Sequence, residues 1–143
     1  MSIENEVRKA SEKFYVALNR MVNGDAGLLV DIWSHDAAVT TMHPIGGWEV
    51  GWDAVRESFE EVAKLSSDGR VELKNQFIQA AGDVAYEMGD EHGQLKIAGQ
   101  QVAIEHRVTN IYSREAGVWK IVHHHTDVSP AMLDVINRVK AER

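Results

Sequence analysis

Apolar residues at Ile3, Val7, Ala10, Phe14, Leu18 and Met21 recur at steps of three and four, a stripe down one side of a helix. Asn23-Gly24 ends it, because glycine adopts the left-handed backbone that satisfies the last carbonyls. Asp25 is placed to cap a short second helix through Leu28, Leu29 and Ile32. Ala38–Met42 is β-prone and stops at Pro44 and Gly46-Gly47. Asp53 is then set to cap a third helix that buries Val55, Phe59 and Val62.

From Arg70 the period becomes two. Val71, Leu73, Asn75, Phe77 and Gln79 alternate with Glu72, Lys74, Gln76, Ile78 and Ala80, and Gly82-Asp83 turns the chain into Val84–Glu91. A second hairpin joins Val102–Ser113 to Val118–Asp127 through the loop Arg114-Glu115-Ala116-Gly117. Ser129-Pro130 opens a last helix, burying Met132, Val135, Ile136 and Val139. Helices followed by a strand meander predict an α+β fold, with helices on one face of a curved, mostly antiparallel sheet. Without repeats or a linker, residues 1–143 read as one domain.

Composition narrows the chemistry. The 143 residues carry 15 Lys+Arg against 22 Asp+Glu, a net charge of -7 with no basic run, so nucleic acid is not an expected partner. The absence of cysteine excludes disulfides, thiolate nucleophiles and Cys-based metal sites. The acidic start lacks signal-peptide order and no apolar run is long enough for a membrane span, so a cytoplasmic protein off the membrane is expected. Gly46-Gly47-Trp48-Glu49-Val50-Gly51 fits neither a dinucleotide fingerprint nor a phosphate loop, and H-E-x-x-H and G-x-S-x-G are absent. No cofactor is expected.

The unusual feature is the final strand, Trp119 to Asp127, with three consecutive histidines. Side chains alternate across a sheet, which groups Trp119, Ile121, His123, His125 and Asp127 on the concave side. A four-residue loop would pair Tyr112 with Trp119, Asn110 with Ile121, Val108 with His123 and His106 with His125. The inner face would then hold His106, His123, His125, Asn110 and Asp127, and a one-residue slip would exchange the faces. Such imidazoles titrate near neutrality and suit acid–base work; the alternatives are a buried polar network that sets register, or a metal on the His123-x-His125 pair.

The stripe of the first helix, Trp48…Gly51-Trp52, Gly82-Asp83-Val84-Ala85-Tyr86, and the hairpin Arg107-Val108-Thr109…Tyr112…Gly117 to His125 carry a resemblance. The chain resembles the SnoaL-like, ketosteroid-isomerase-like branch of the nuclear transport factor two superfamily. That implies a cone-shaped α+β barrel, a pocket between helices and sheet, and a homodimer through the outer sheet face. Fold alone does not settle function there. Tyr15 sits near the position of a hydrogen-bond donor in the first helix of relatives, and Glu91 resembles a Glu at the end of their third strand. Thr40–Met42, where ketosteroid isomerase keeps its base, has no carboxylate, which argues against steroid isomerisation in its usual form.

Two function classes follow. The first is a cofactor-free lyase or isomerase for a small, partly apolar metabolite. His125 would be the base, Asp127 would orient it, His106, His123 and Asn110 would polarise an oxygen, and Glu91 would be a second acid–base group. Trp48, Trp52, Phe59, His43 and Tyr15 would contact the ligand. The second is a non-catalytic dimeric module that binds an apolar ligand or partner.

Overall fold

Helices start where side chains satisfy free amides. Ser2 accepts from the Asn5 amide ahead of α1 (Ile3–Met21), and Ser129 accepts from the Met132 amide ahead of α4 (Pro130–Ala141), which has proline in its first turn. The computed structural model describes residues 2–142. Between these helices lie α2 (Leu29–Ile32), β1 (Thr40–Met42), β2 (Trp48–Val50), α3 (Trp52–Leu65), β3 (Ser66–Ala81), β4 (Val84–Ile97), β5 (Gln100–Glu115) and β6 (Val118–Thr126). The two expected aspartate caps are not made. Asp25 instead accepts from the Gly27 amide in a local turn, and Asp53 lies inside α3 behind Gly51.

The strands form one sheet in the order β2-β1-β6-β5-β4-β3, antiparallel except where β1 runs parallel to β6. With helices gathered on its concave face, this is the expected α+β architecture. The core includes Phe14, Leu29, Trp33, Val55, Phe59, Tyr112 and Ile121. Met132, Val135 and Ile136 of α4 close one end, and the Ser129 amide donates to the Pro44 carbonyl at 2.7 Å. Among the described residues no helix is long and apolar enough to cross a membrane.

The last hairpin departs from the expected register in two ways. Its loop is the two-residue turn Ala116-Gly117, with φ of 50° and 80°, so Arg114 pairs with Trp119 and Tyr112 with Ile121. That shift of two residues keeps every side chain on its face. A β-bulge does not: Tyr112 faces Ile121 but Ile111 faces His123, which leaves Val122 as the extra residue. Beyond it His124 and Thr126 are buried, while His123 and His125 turn outward. The bulge lies where the other edge of β6 changes partner, from Trp33 and Ser34 at Ile121 to β1 at His123. A second irregularity between Lys74 and Phe77 does the same in β3, burying Ile78 and exposing Phe77.

Candidate functional site

Strand alternation brings Glu87 and Glu91 of β4 and His106, Asn110 and Tyr112 of β5 to the concave face, where Tyr15 of α1 and His124 of β6 meet them; all are buried. Glu91 accepts from the Tyr15 hydroxyl and from His106 Nε2, each at 2.8 Å. Glu87 accepts from Asn110 Nδ2 at 3.0 Å, the Tyr112 hydroxyl at 2.9 Å and Gln76 Nε2 at 2.6 Å. Asn110 Nδ2 also donates to the Tyr15 oxygen at 3.2 Å, and its Oδ1 lies 2.6 Å from His124 Nδ1.

These contacts impose a direction. Glu87 meets three donors, so the Asn110 amide nitrogen faces it and the amide oxygen faces His124. His124 therefore carries its proton on Nδ1 and its lone pair on Nε2. Among the described residues that nitrogen has no hydrogen-bond partner, and the His124 ring lines the adjoining cavity. The second nitrogen of His106, Nδ1, is buried without a partner among the described residues.

The cavity, about 70 Å³, is walled by Leu18, Met21, Phe59, Val71, Leu95, Ile104 and Met132, with His43, Glu91, His106 and His124 as its polar members. His43, Ile45, Val62 and Ile97 separate it from an outer groove of about 420 Å³, which Glu49, Ser58, Glu61 and Lys140 also line. Burial pushes His124 down to about 4 and neighbouring imidazoles add to this, while the Glu91 charge opposes it. Burial and His124 likewise take His43 to about 4. Burial would raise Glu91, but hydrogen bonds from His106 and Tyr15 and the nearby imidazoles hold it below the usual carboxylate range. Burial and both carboxylates push the Tyr15 hydroxyl well up. At neutral pH His43 and His124 are thus neutral, beside an ionised Glu91 carboxylate.

Of the residues expected to form the site, Tyr15, His43, Phe59, Glu91, His106 and Asn110 do converge on the cavity or the network beneath it. His123, His125 and Asp127 do not, because the Val122 bulge reverses their faces. His123 Nδ1 lies 2.6 Å from the Thr40 hydroxyl, and His125 is exposed with its ring 5.8 Å from that of His123. Asp127 pairs with Arg107 on the outer surface, which takes its carboxyl down to about 2, and cannot orient a base inside. Trp48 is 65% exposed, and Trp52 stacks on His35 at 4.5 Å; neither touches the cavity. Sequence reasoning missed His124 and Glu87. Glu87 shares parity with Ala85, Gly89 and Glu91 and was within reach of the alternation rule; His124 carried no such signal. Among the described residues no three His, Asp or Glu side chains converge as metal ligands.

A curved sheet wrapped around helices, with a buried polar network under a small apolar cavity, defines a cone-shaped α+β fold. The SnoaL-like domain family matches residues 7–131, and the chain belongs to that family, within the nuclear transport factor two-like superfamily. None of the curated proteins matches the sequence. Among solved structures, a candidate dehydratase of the NTF2-like family from Streptomyces avermitilis superposes with a TM-score of 0.77 at 23% identity, covering 90% of this chain and 96% of that one. An NTF2-like superfamily protein from Salmonella enterica gives 0.77 at 19%, covering 87% and 89%. A protein with a cystatin-like fold from Caulobacter vibrioides gives 0.73 at 18%, covering 94% and 93%. These likenesses concern the fold.

Proposed function

We propose that the protein binds a small, partly apolar molecule bearing a hydroxyl or carbonyl group and moves a proton on it, as a cofactor-free isomerase or lyase. The observation that carries this reading is the His124 Nε2 lone pair, free of partners among the described residues, on a ring that lines an apolar cavity and in a tautomer set by Asn110 and Glu87. A proton taken up there makes an imidazolium whose charge Glu91 compensates. His106 and Tyr15 hold the Glu91 carboxylate in place. The same fold occurs in the candidate dehydratase from Streptomyces avermitilis, a reaction class that a proton acceptor in an apolar cavity would serve.

The test is an NMR screen of small ketones and alcohols for compounds that shift cavity resonances, followed by solvent-deuterium incorporation or product formation on the hits. Turnover is expected to fall by ~10²-fold or more in His124→Ala and to survive in Trp48→Ala. Full turnover in His124→Ala would refute the assignment. A binding role without turnover is the second reading, supported by a network in which Tyr15, Asn110 and His106 already direct their hydrogens at protein acceptors. Hits that bind without exchange or product would favour it. Either reading includes association of two copies through the outer sheet face, where Phe77, Tyr86 and Met88 are exposed.

A further inference from the structure

Hydrogen-bond directions leave the cavity with acceptors to offer and no donors. Three donors on Glu87 put the Asn110 oxygen against His124 and the His124 lone pair on Nε2. Across the cavity wall, the Ser58 hydroxyl donates to the Val55 carbonyl at 2.7 Å within its own helix, so its oxygen accepts from His43 Nε2–H at 2.8 Å. His43 therefore keeps its lone pair on Nδ1, which has no hydrogen-bond partner among the described residues, on a ring that lines the cavity. Both imidazoles are more than nine-tenths buried. The hydrogens of the network beneath the cavity already have acceptors: the Tyr15 hydroxyl and His106 Nε2–H on Glu91, and the Asn110 amide on Tyr15 and Glu87; the unpartnered Thr41 hydroxyl and Trp33 indole N–H are buried nearby but do not line the cavity.

Resting on the ligand-binding reading of this cavity, we propose that its ligand is a hydroxyl donor, an alcohol or enol, whose O–H enters the cavity and donates to His124 Nε2, with His43 Nδ1 as the alternative acceptor. A ketone or carboxylate would bring acceptors to acceptors and leave its oxygen unpaired away from water. A hydroxyl supplies one hydrogen, which satisfies one of the two imidazole lone pairs. The cavity is too small for more than the end of such a molecule; an engineered cavity of ~150 Å³ is what benzene occupies. The remainder of the ligand lies in the outer groove, past Ile45, Val62 and Ile97 of the shared wall. A metal cation could also use the two lone pairs, but among the described residues no third ligand converges on them.

The test compares n-hexanol, methyl butyl ketone and hexanoate by chemical-shift titration of the full-length protein, with ¹⁵N detection of the His43 and His124 rings. The free protein is expected to show His124 protonated on Nδ1. n-Hexanol is expected to shift Nε2 and to bind at least ~10-fold more tightly than the other two. His124→Phe should remove that preference. Equal or tighter binding of the ketone or hexanoate in the cavity overturns the donor assignment while leaving ligand binding intact, as does a His124 proton found on Nε2. If none of the three perturbs cavity residues, both readings fall. Stoichiometric zinc ion binding to the two imidazoles would assign the lone pairs to a metal and overturn the proposal.

Discussion

Replacing Glu91 by Gln tests the directions of the buried hydrogen bonds with almost no change of shape. In the wild type Glu91 accepts from Tyr15 on one oxygen and from His106 on the other, and the Tyr15 oxygen already accepts from Asn110. A Gln amide offers one oxygen and one NH₂ group. With the oxygen toward His106, the NH₂ faces a hydroxyl whose own hydrogen then has no acceptor. With the amide reversed, two N–H groups meet at His106 unless its proton moves to Nδ1, which is buried with no acceptor among the described residues. Either way a buried donor is stranded, at a cost of about 2–3 kcal/mol. Urea unfolding followed by tryptophan fluorescence should show a midpoint lower by roughly 1–2 M. Tyr15→Phe removes the stranded hydroxyl, so the double variant should lose at least ~1 kcal/mol less than the sum of the two singles. Acid should narrow the gap between wild type and Glu91→Gln. The folded carboxyl titrates below its ordinary 4.5, so its contribution is present above that pH and is lost as pH falls through the folded value. Additive single-variant losses, or a Glu91→Gln protein as stable as the wild type, would refute the directed network.

Two further predictions concern acid stability and association. His43 and His124 gain a proton below 6.5 when unfolded but only near 4 when folded, so the unfolded chain binds more protons in between. Stability should therefore fall as pH drops through that window, by about 3 kcal/mol for each histidine, and chemical denaturation of His43→Phe across the window should show a shallower slope. For association, sedimentation should find a dimer that Tyr86→Lys and Met88→Lys convert to monomer, since both side chains stand exposed beside Phe77 on the outer sheet face. A wild-type protein that stays monomeric at high concentration would refute that interface.

Features set by a residue and its near neighbours were legible without coordinates. The stripe of α1, the Ser129-Pro130 start of α4 and the turn at Gly82-Asp83 need nothing beyond helical periodicity, capping and turn chemistry. The inward aim of His106 and Asn110 follows from alternation along β5, and that of Glu91 from its parity with Ala85 and Gly89 on β4. Glu87 obeys the same rule. The α+β architecture follows from the order of these elements.

The identity of the cavity imidazole belongs to tertiary structure. Alternation is a property of one strand, whereas the number of residues that oppose one another between two turns depends on both partners. Along β6 that number changes where Trp33 and Ser34 on its free edge give way to β1, and the chain absorbs the mismatch by bulging at Val122. One unpaired residue sends His123 and His125 outward and His124 in. The irregularity between Lys74 and Phe77 exchanges Phe77 and Ile78 for the same reason. Local sequence thus determined which residue types the hairpin carries, and contacts between distant strands decided which of three adjacent histidines meets Asn110 in the dark of the core.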